Sequence, residues 1–232
     1  MAVQRGALLV VALVASAAAL QPTATVRQYS RRLAAVTAEP AVATAEEPAA
    51  EEPAVEARAA VDPAGLVSAL GINYEPLMEQ LRTGDFKTAD QTTRDVLIEM
   101  AGAEATKRGY VYWTEAKVLP KEDLATVENL WLHYSDGKFG YTVQKNAWRL
   151  QKGVFDKFCD KIGWTVRDEF TDAMRKRRWF GDSEFFYTLK EAPKGHLPLT
   201  SALRGTQLLK ALLQHTLWET DDWKRELTEL SA

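Results

Sequence analysis

The stretch LWLHYSDGKFGYTVQKNAW, residues 130–148, constrains the fold more than any other part of the sequence. Its first five residues have the apolar spacing of a helical turn, and a Ser-Asp-Gly bend follows at residues 135–137. Beyond the bend, Phe139, Tyr141 and Val143 recur with a period of two. Because glycine favours positive φ and ends helices, we expect the helix to stop at the bend and an aromatic segment to follow. The pattern matches no familiar catalytic motif.

The same stretch closely resembles the signature of the genomes-uncoupled-four family, porphyrin-binding proteins that stimulate magnesium chelatase in chlorophyll synthesis. The matching residues are Leu130, Trp131, Ser135, Gly137, Lys138, Phe139, Gly140, Tyr141, Thr142, Val143, Gln144 and Trp148. Ala89, Asp90 and Thr93 resemble a second pattern of the family, and we expect a structural role for Asp90. The resemblance spans about residues 72–215.

The N-terminal 38 residues have the composition of targeting segments. Residues 1–20 combine Arg5 with an apolar run and small-residue cleavage sites, as in a signal peptide. Residues 21–38 are rich in Ser, Thr and Arg without any acid, as in an organelle transit peptide. Together they resemble the two-part presequence of algae whose plastids came from a eukaryotic endosymbiont. The alternative is an ordinary secreted protein with a basic pro-segment.

Residues 39–65 are predicted to be a disordered acidic tether. Residues 39–62 contain seven acidic residues and one basic residue, with repeated Ala and Pro. Such a segment cannot bury enough apolar area to offset the entropy of ordering. We place the folded domain at residues 66–217 and a C-terminal tail at residues 218–232. About 150 residues rich in Trp, Phe and Leu are enough for one buried core.

Helical spacing of apolar residues recurs along the folded part. It predicts one helix around residues 74–81, a second from about residue 86 to residue 100, and a third that begins after Pro120 and ends at residues 136–137. Further helices are expected over residues 144–150, 154–162 and 201–217. Strand or hairpin signals do not recur. The sequence therefore predicts a single compact all-α domain.

Residues 163–189 fit no helical pattern and are unusually aromatic. Long connections in compact domains are usually functional or disordered, and this one is too aromatic to be disordered. The Gly-His-Leu-Pro sequence at residues 195–198 resembles the turn that ends the family's ligand-covering loop. The resemblance therefore implies that this segment covers one side of a tetrapyrrole.

A porphyrin receptor needs an apolar cleft and cations for the propionates, and arginine suits a carboxylate best because it can form two bonds. The resemblance implies that the turn and the aromatic segment form the two walls. The predicted ligand-binding residues are Lys138, Phe139, Tyr141, Val143, Trp148, Trp164, Phe170, Met174, Arg177, Trp179, Phe180 and Arg204. Two alternatives stay open: Trp148 and Trp164 could belong to the core, and the basic run at residues 175–178 could be a solvated face.

Catalytic and metal-binding patterns are not evident in the sequence. There is no nucleophile with a base, and no phosphate-binding glycine loop ending in Lys-Ser or Lys-Thr. The single cysteine, Cys159, excludes an internal disulfide and is expected in the core. His196 is expected to satisfy backbone groups in a turn. The folded part is almost neutral, so nucleic acid is not an expected partner.

The resemblance implies a non-enzymatic regulator in the plastid stroma or at the thylakoid, with peripheral association with plastid membranes. Its expected ligands are protoporphyrin IX and magnesium-protoporphyrin IX, without a catalytic cofactor or metal site. Its expected partner is the large, porphyrin-handling subunit of magnesium chelatase. Two other functions remain open: a porphyrin scavenger in retrograde signalling, and a helical adaptor that docks proteins through the aromatic loop.

Overall fold

Two helices joined by a glycine turn open the helical part of the chain. The computed structural model describes residues 58–168, 170–177, 184–200 and 207–228. Helix α1 spans Glu75–Arg82 and buries Leu77, Met78 and Leu81. Helix α2 spans Phe86–Met100, and the Asp85 carboxylate caps it by accepting a bond from Thr88 N at 3.0 Å. Both predicted helices are confirmed.

The connection between α2 and the central helix contains two short helices. Helix α3 spans Ala103–Arg108, and Gly109 ends it with φ near 73°. Helix α4 spans Trp113–Ala116. Between them lies an aromatic segment, residues 109–112, for which the sequence predicts no helix or strand.

Helix α5, Lys121–Tyr134, crosses the core of the domain. Trp131 is fully buried, and its Nε1 donates to Thr93 Oγ1 at 3.0 Å, which ties α5 to α2. Asp123 is also fully buried and accepts bonds from Ala69 N at 2.9 Å and Tyr74 Oη at 2.9 Å. The helix ends at the predicted bend, where Asp136 and Gly137 both have positive φ.

Helix α6, Tyr141–Leu150, begins three residues earlier than predicted. The Glu128 carboxylate accepts bonds from Tyr141 N at 2.6 Å and Thr142 N at 2.9 Å, so a side chain from α5 satisfies the first amides of α6. Gly140 has φ of 134°, and a Cβ there would lie 2.7 Å from Glu128 Oε1. Tyr141 and Val143 are therefore helical, and their period of two does not mark a strand.

A short antiparallel hairpin follows helix α7, Phe155–Lys161, and was not predicted. Strand β1, Thr165–Arg167, pairs with β2, Met174–Lys176, so that Val166 lies opposite Arg175. Asp168 stabilises the turn by accepting bonds from Phe170 N and Thr171 N at 3.0 Å each. Three-residue strands with charged residues give little alternation to detect. The fold is nevertheless mostly helical, and the all-α class is confirmed.

The C-terminal part comprises helix α8, Gln207–Leu213, and a 3₁₀ helix, Thr216–Glu219. Residues 201–206 of the predicted last helix lie outside the described residues. In residues 218–228, assigned to a tail, Trp218 and Trp223 are buried, and Asn129 Nδ2 donates to Trp223 O at 2.9 Å. This part of the predicted tail belongs to the domain.

The first described residues also pack on the domain, although the sequence assigned them to the tether. Val61 is fully buried, and its N–H donates to Tyr134 Oη at 3.2 Å. Arg58 forms an ion pair with Asp136, and Asp62 N donates to Thr228 O at 2.7 Å. The domain boundary therefore lies before residue 66. None of the described helices is long and apolar enough to span a bilayer.

Candidate functional site

A cavity of about 660 Å³ opens between α2, residues 109–113, residues 199–200 and α8. Its walls are mainly apolar, with polar side chains from α2 on one side. The lining residues are Gln91, Arg94, Asp95, Leu97, Ile98, Gly109, Tyr110, Val111, Tyr112, Trp113, Leu119, Leu199, Thr200, Gln207, Leu208 and Leu212. The volume lies within the roughly 300–1,000 Å³ range of small-molecule sites.

The aromatic rim of the cavity is held in place by Arg108. Its guanidinium carbon lies 4.2 Å from the ring centroid of Tyr112 and 5.1 Å from that of Tyr110. The two tyrosine rings meet edge to face at 5.3 Å. Arg108 Nη2 also pairs with Glu115 at 2.6 Å, and that carboxylate accepts a bond from Tyr112 N at 2.8 Å. Cation–π and charged hydrogen bonds thus fix the orientation of the rim.

The polar side of the cavity is organised by a buried acid. Asp90 is fully buried, and its Oδ1 accepts a bond from Leu199 N at 2.6 Å. Its Oδ2 forms an ion pair with Arg94 Nη2 at 3.2 Å, while that Nη2 donates its hydrogen bond to Gln91 Oε1 at 2.8 Å. Burial raises the pKa of Asp90 to about 7, against the opposing effects of Arg94 and the Leu199 N–H. The structural role predicted for Asp90 is confirmed by these contacts.

Among the described residues, Arg94 is the cation that lines the cavity. Its side chain is about one-third exposed, and its buried Nε has no hydrogen-bond partner within the described part of the chain. A guanidinium beside an apolar cavity can donate two parallel hydrogen bonds to a carboxylate. The arrangement suits a flat apolar molecule that carries an acidic group.

The structure does not place the predicted turn residues in this cavity. Phe139 is fully buried, and its ring packs edge to face on Phe86 at 5.4 Å and on Trp131 at 6.2 Å. Tyr141 and Val143 are also buried, on helix α6. The expectation that Phe139 and its neighbours form an open wall does not fit these positions, because their side chains complete the core. Lys138 Nζ donates instead to the Leu189 carbonyl.

Trp148 and Trp164 belong to an aromatic cluster with residues of α7. Their rings meet Phe158 edge to face, at 5.2 Å and 5.6 Å. Trp164 Nε1 donates to His196 O at 2.9 Å. Between the two interpretations left open, the structure therefore places these tryptophans in packed positions, away from the cavity lining.

The hairpin carries the remaining predicted residues that are described. Phe170 is 94% exposed at the turn and Met174 is 58% exposed, so neither lines the cavity. Arg177 donates to Gly163 O at 2.7 Å, and its guanidinium lies 4.4 Å from the Phe186 ring. Arg175 pairs with Asp168 and Glu184. The predicted residues Trp179, Phe180 and Arg204 lie outside the described residues, as does Arg178.

His196 and Cys159 occupy the structural positions expected of them. His196 Nε2 accepts a bond from Phe186 N at 3.1 Å, and Nδ1 lies 2.7 Å from Ile162 O, so Nδ1 carries the proton. Burial lowers the pKa of His196 to about 4, against the effect of Ile162 O. Cys159 is buried, which raises its thiol pKa to about 12. The described residues contain no cluster of three or more metal-ligating side chains.

Sequence reasoning missed the cavity residues almost entirely. The segment Tyr110-Val-Tyr-Trp113 places three aromatics within four residues, and that density was a usable signal. Arg94 gave no signal, because it is one charged residue on the polar side of an amphipathic helix. Arg94 lies beside a cavity only because Leu199 and Thr200, more than 100 residues away in sequence, line the same cavity.

Comparison with known proteins identifies the family. The GUN4-like family model matches residues 67–216. The chloroplastic tetrapyrrole-binding protein of Arabidopsis thaliana is 43% identical over 150 residues, which are 64% of this chain and 56% of that protein. The Ycf53-like protein of Synechocystis sp. is 41% identical over 158 residues, which are 68% of this chain and 64% of that protein. The chain thus spans less than two thirds of the length of either relative.

Solved structures agree with this result. The structure of GUN4 from Chlamydomonas reinhardtii has a TM-score of 0.59 and 44% identity, and the match covers 66% of this chain and 95% of that one. The ligand-free structure of Arabidopsis thaliana GUN4 has a TM-score of 0.56 and 41% identity, and covers 65% of this chain and 100% of that one. Since the family model covers well over half of the chain, the chain belongs to the GUN4-like family.

Proposed function

We propose that this protein is a plastid tetrapyrrole-binding regulator that binds protoporphyrin IX and magnesium-protoporphyrin IX and stimulates magnesium chelatase. The observation that carries the proposal is the apolar cavity with Arg94 at its side. Membership in the GUN4-like family supports it, as does the 43% identity to a chloroplastic tetrapyrrole-binding protein. The protein acts without catalysis of its own, and the chelatase supplies the metal-insertion chemistry.

The cavity matches a porphyrin in chemistry. Leu97 and Ile98 form one wall, Leu208 and Leu212 another, and the aromatic rim lies beside them. A macrocycle that leaves water here gains roughly 25 cal/mol per Å² of apolar surface. Tyr112 and Trp113, both partly exposed, offer flat faces for offset stacking.

Arg94 supplies the carboxylate partner in this proposal. A propionate of the ligand takes bonds from the exposed part of the Arg94 guanidinium, since about one third of this side chain is accessible beside the cavity. Arg204, which the sequence favours for the same role, and Lys138 remain further candidates. Lys138 is the weaker one, because the Leu189 carbonyl already binds its ammonium group.

Titration of the full chain with protoporphyrin IX and with its dimethyl ester tests the binding. Arg94→Ala should weaken binding of the acid by about tenfold to a hundredfold, since a charge-assisted bond contributes about 1.5–3 kcal/mol, and should leave ester binding nearly unchanged. Arg149→Ala, which removes the same charge from an exposed position on α6, is the control. No saturable quenching of Trp emission by either porphyrin would end the binding proposal.

Two further variants separate chelatase stimulation from simple scavenging. Ile98→Trp fills the cavity, whereas Leu150→Trp adds the same side chain at a position that is 73% exposed. In a reconstituted chelatase assay, we expect stimulation by the wild type and by Leu150→Trp but not by Ile98→Trp. Porphyrin binding without any stimulation by the wild type would favour the scavenger function instead.

A further inference from the structure

The buried acid at the side of the cavity joins two of its walls. Asp90 Oδ1 accepts the bond from Leu199 N, while Oδ2 lies 3.2 Å from Arg94 Nη2. Oδ2 accepts no hydrogen bond from any described residue. Leu199 and Arg94 both line the cavity. Asp90 itself has no exposed area, so it acts on a ligand only through these neighbours.

We propose that Asp90 is a positioning residue for Arg94 and Leu199, and that it takes up a proton when an anionic ligand pairs with Arg94. This inference rests on the function proposed above. It adds that the cavity binds carboxylate-bearing ligands together with a proton from solvent, which becomes bonded to Asp90 Oδ2. Oδ1 keeps its bond from Leu199, so the wall does not move.

Among the described residues around Asp90, Arg94 is the cation that compensates its charge. Arg94 faces it from its own helix, Tyr141 from α6 and Tyr187 from the segment of residues 184–200. Burial raises the pKa of both tyrosines, so they remain neutral phenols near pH 7. The ionised form of Asp90 therefore depends on Arg94 and on the Leu199 N–H.

A ligand carboxylate at Arg94 changes this balance. The ligand carboxylate pairs with the Arg94 guanidinium, which then compensates the charge of Asp90 less well. It also adds a second negative charge beside this fully buried acid. An uncompensated buried carboxylate is costly, and protonation removes that cost. Burial already brings the pKa of Asp90 to about 7, so the acid is mostly ionised just above neutral pH and can take up a proton there.

Calorimetric titration of the full chain in two buffers of different ionisation enthalpy measures this proton directly. We expect uptake approaching one proton per molecule of protoporphyrin IX at about pH 8, and almost none for its dimethyl ester, because the ester brings no anion. Affinity for the acid should rise as pH falls from about 8.5 to about 6, roughly tenfold for each unit by which the ligand raises the Asp90 pKa. The ester comparison needs no variant.

Asp90→Asn tests the assignment, since it keeps an oxygen for Leu199 and cannot titrate. Its affinity for the acid should be nearly independent of pH, whereas Glu99→Gln, an exposed change on the same helix, should keep the wild-type slope. Acid binding without proton uptake, or a wild-type slope in Asp90→Asn, overturns this inference and leaves the proposed function standing. If neither porphyrin binds the wild type, the proposed function itself fails.

Discussion

The structure changes the expected effect of a Phe139 mutation from weaker ligand binding to lower stability, because the residue lies in the core. The side chain has no exposed area and packs on Phe86 and Trp131. Phe139→Ala should therefore reduce the free energy of unfolding by about 3–5 kcal/mol, the usual cost of such a truncation in a core. Part of that loss comes from the aromatic pairs, which contribute about 0.5–1.5 kcal/mol each. Against a typical stability of about 5–15 kcal/mol, the loss is large.

Urea unfolding followed by Trp emission measures this change. With a slope of about 2 kcal/mol per molar urea, the midpoint should fall by roughly 1.5–2.5 M while the slope stays constant. Phe170→Ala is the matched control, because it removes the same atoms from a side chain that is 94% exposed, and it should cost less than about 0.5 kcal/mol. A loss below about 1 kcal/mol in Phe139→Ala would refute the assignment of Phe139 to the core.

Three further predictions concern the scaffold. Glu128→Gln should destabilise the protein by about 1–3 kcal/mol, because a single amide oxygen cannot accept the three bonds from Tyr141 N, Thr142 N and the Thr142 hydroxyl. The control is Glu104→Gln at an exposed position, which should change stability by less than about 0.5 kcal/mol in the same urea assay. The pKa of His196 is lowered from 6.5 to about 4 in the folded protein, so between these pH values the unfolded chain binds one proton more than the folded chain. The stability that neutral His196 contributes is therefore lost as pH falls from about 6.5 to about 4. The stability difference between wild type and His196→Asn should therefore shrink by up to about 3 kcal/mol from about pH 7 to about pH 4, and a constant difference would contradict it. A chain that starts at Arg58 should have the melting temperature of the full chain. A chain that starts at Leu66 should lose about 2 kcal/mol of unfolding free energy, because it lacks the buried Val61 side chain and the Arg58 ion pair. Equal melting temperatures of the two truncated chains would show that residues 58–65 add no stability.

Local patterns in the sequence predicted most helices correctly. The apolar stripe of α2 and the face of α5 are periodic, and periodicity reports burial directly. The start of α6 was missed because its cap is Glu128, a side chain from another helix. The hairpin was missed because its strands are three residues long and partly charged.

The candidate site was harder to predict than the fold because it depends on contacts between distant parts of the chain. The sequence predicts ligand contacts for the aromatic residues Phe139 and Trp164, yet the same side-chain chemistry serves a core equally well. Tyr112 and Trp113 are aromatic too, but the position of α8 leaves them beside an open cavity. Sequence composition cannot distinguish these two outcomes, since packing decides which aromatic faces remain exposed.

Methyl NMR of the leucine side chains during a porphyrin titration tests directly whether the ligand binds in the cavity. A bound macrocycle has a strong ring current, so methyl groups at its face shift far more than distant ones. We expect large, saturable shifts for leucines of the cavity lining, Leu97, Leu199, Leu208 and Leu212, and small ones for core Leu124 and exposed Leu150. Shifts centred on Leu189, which lies beside Lys138, would instead place the ligand at the turn after helix α5 and would contradict binding in the cavity.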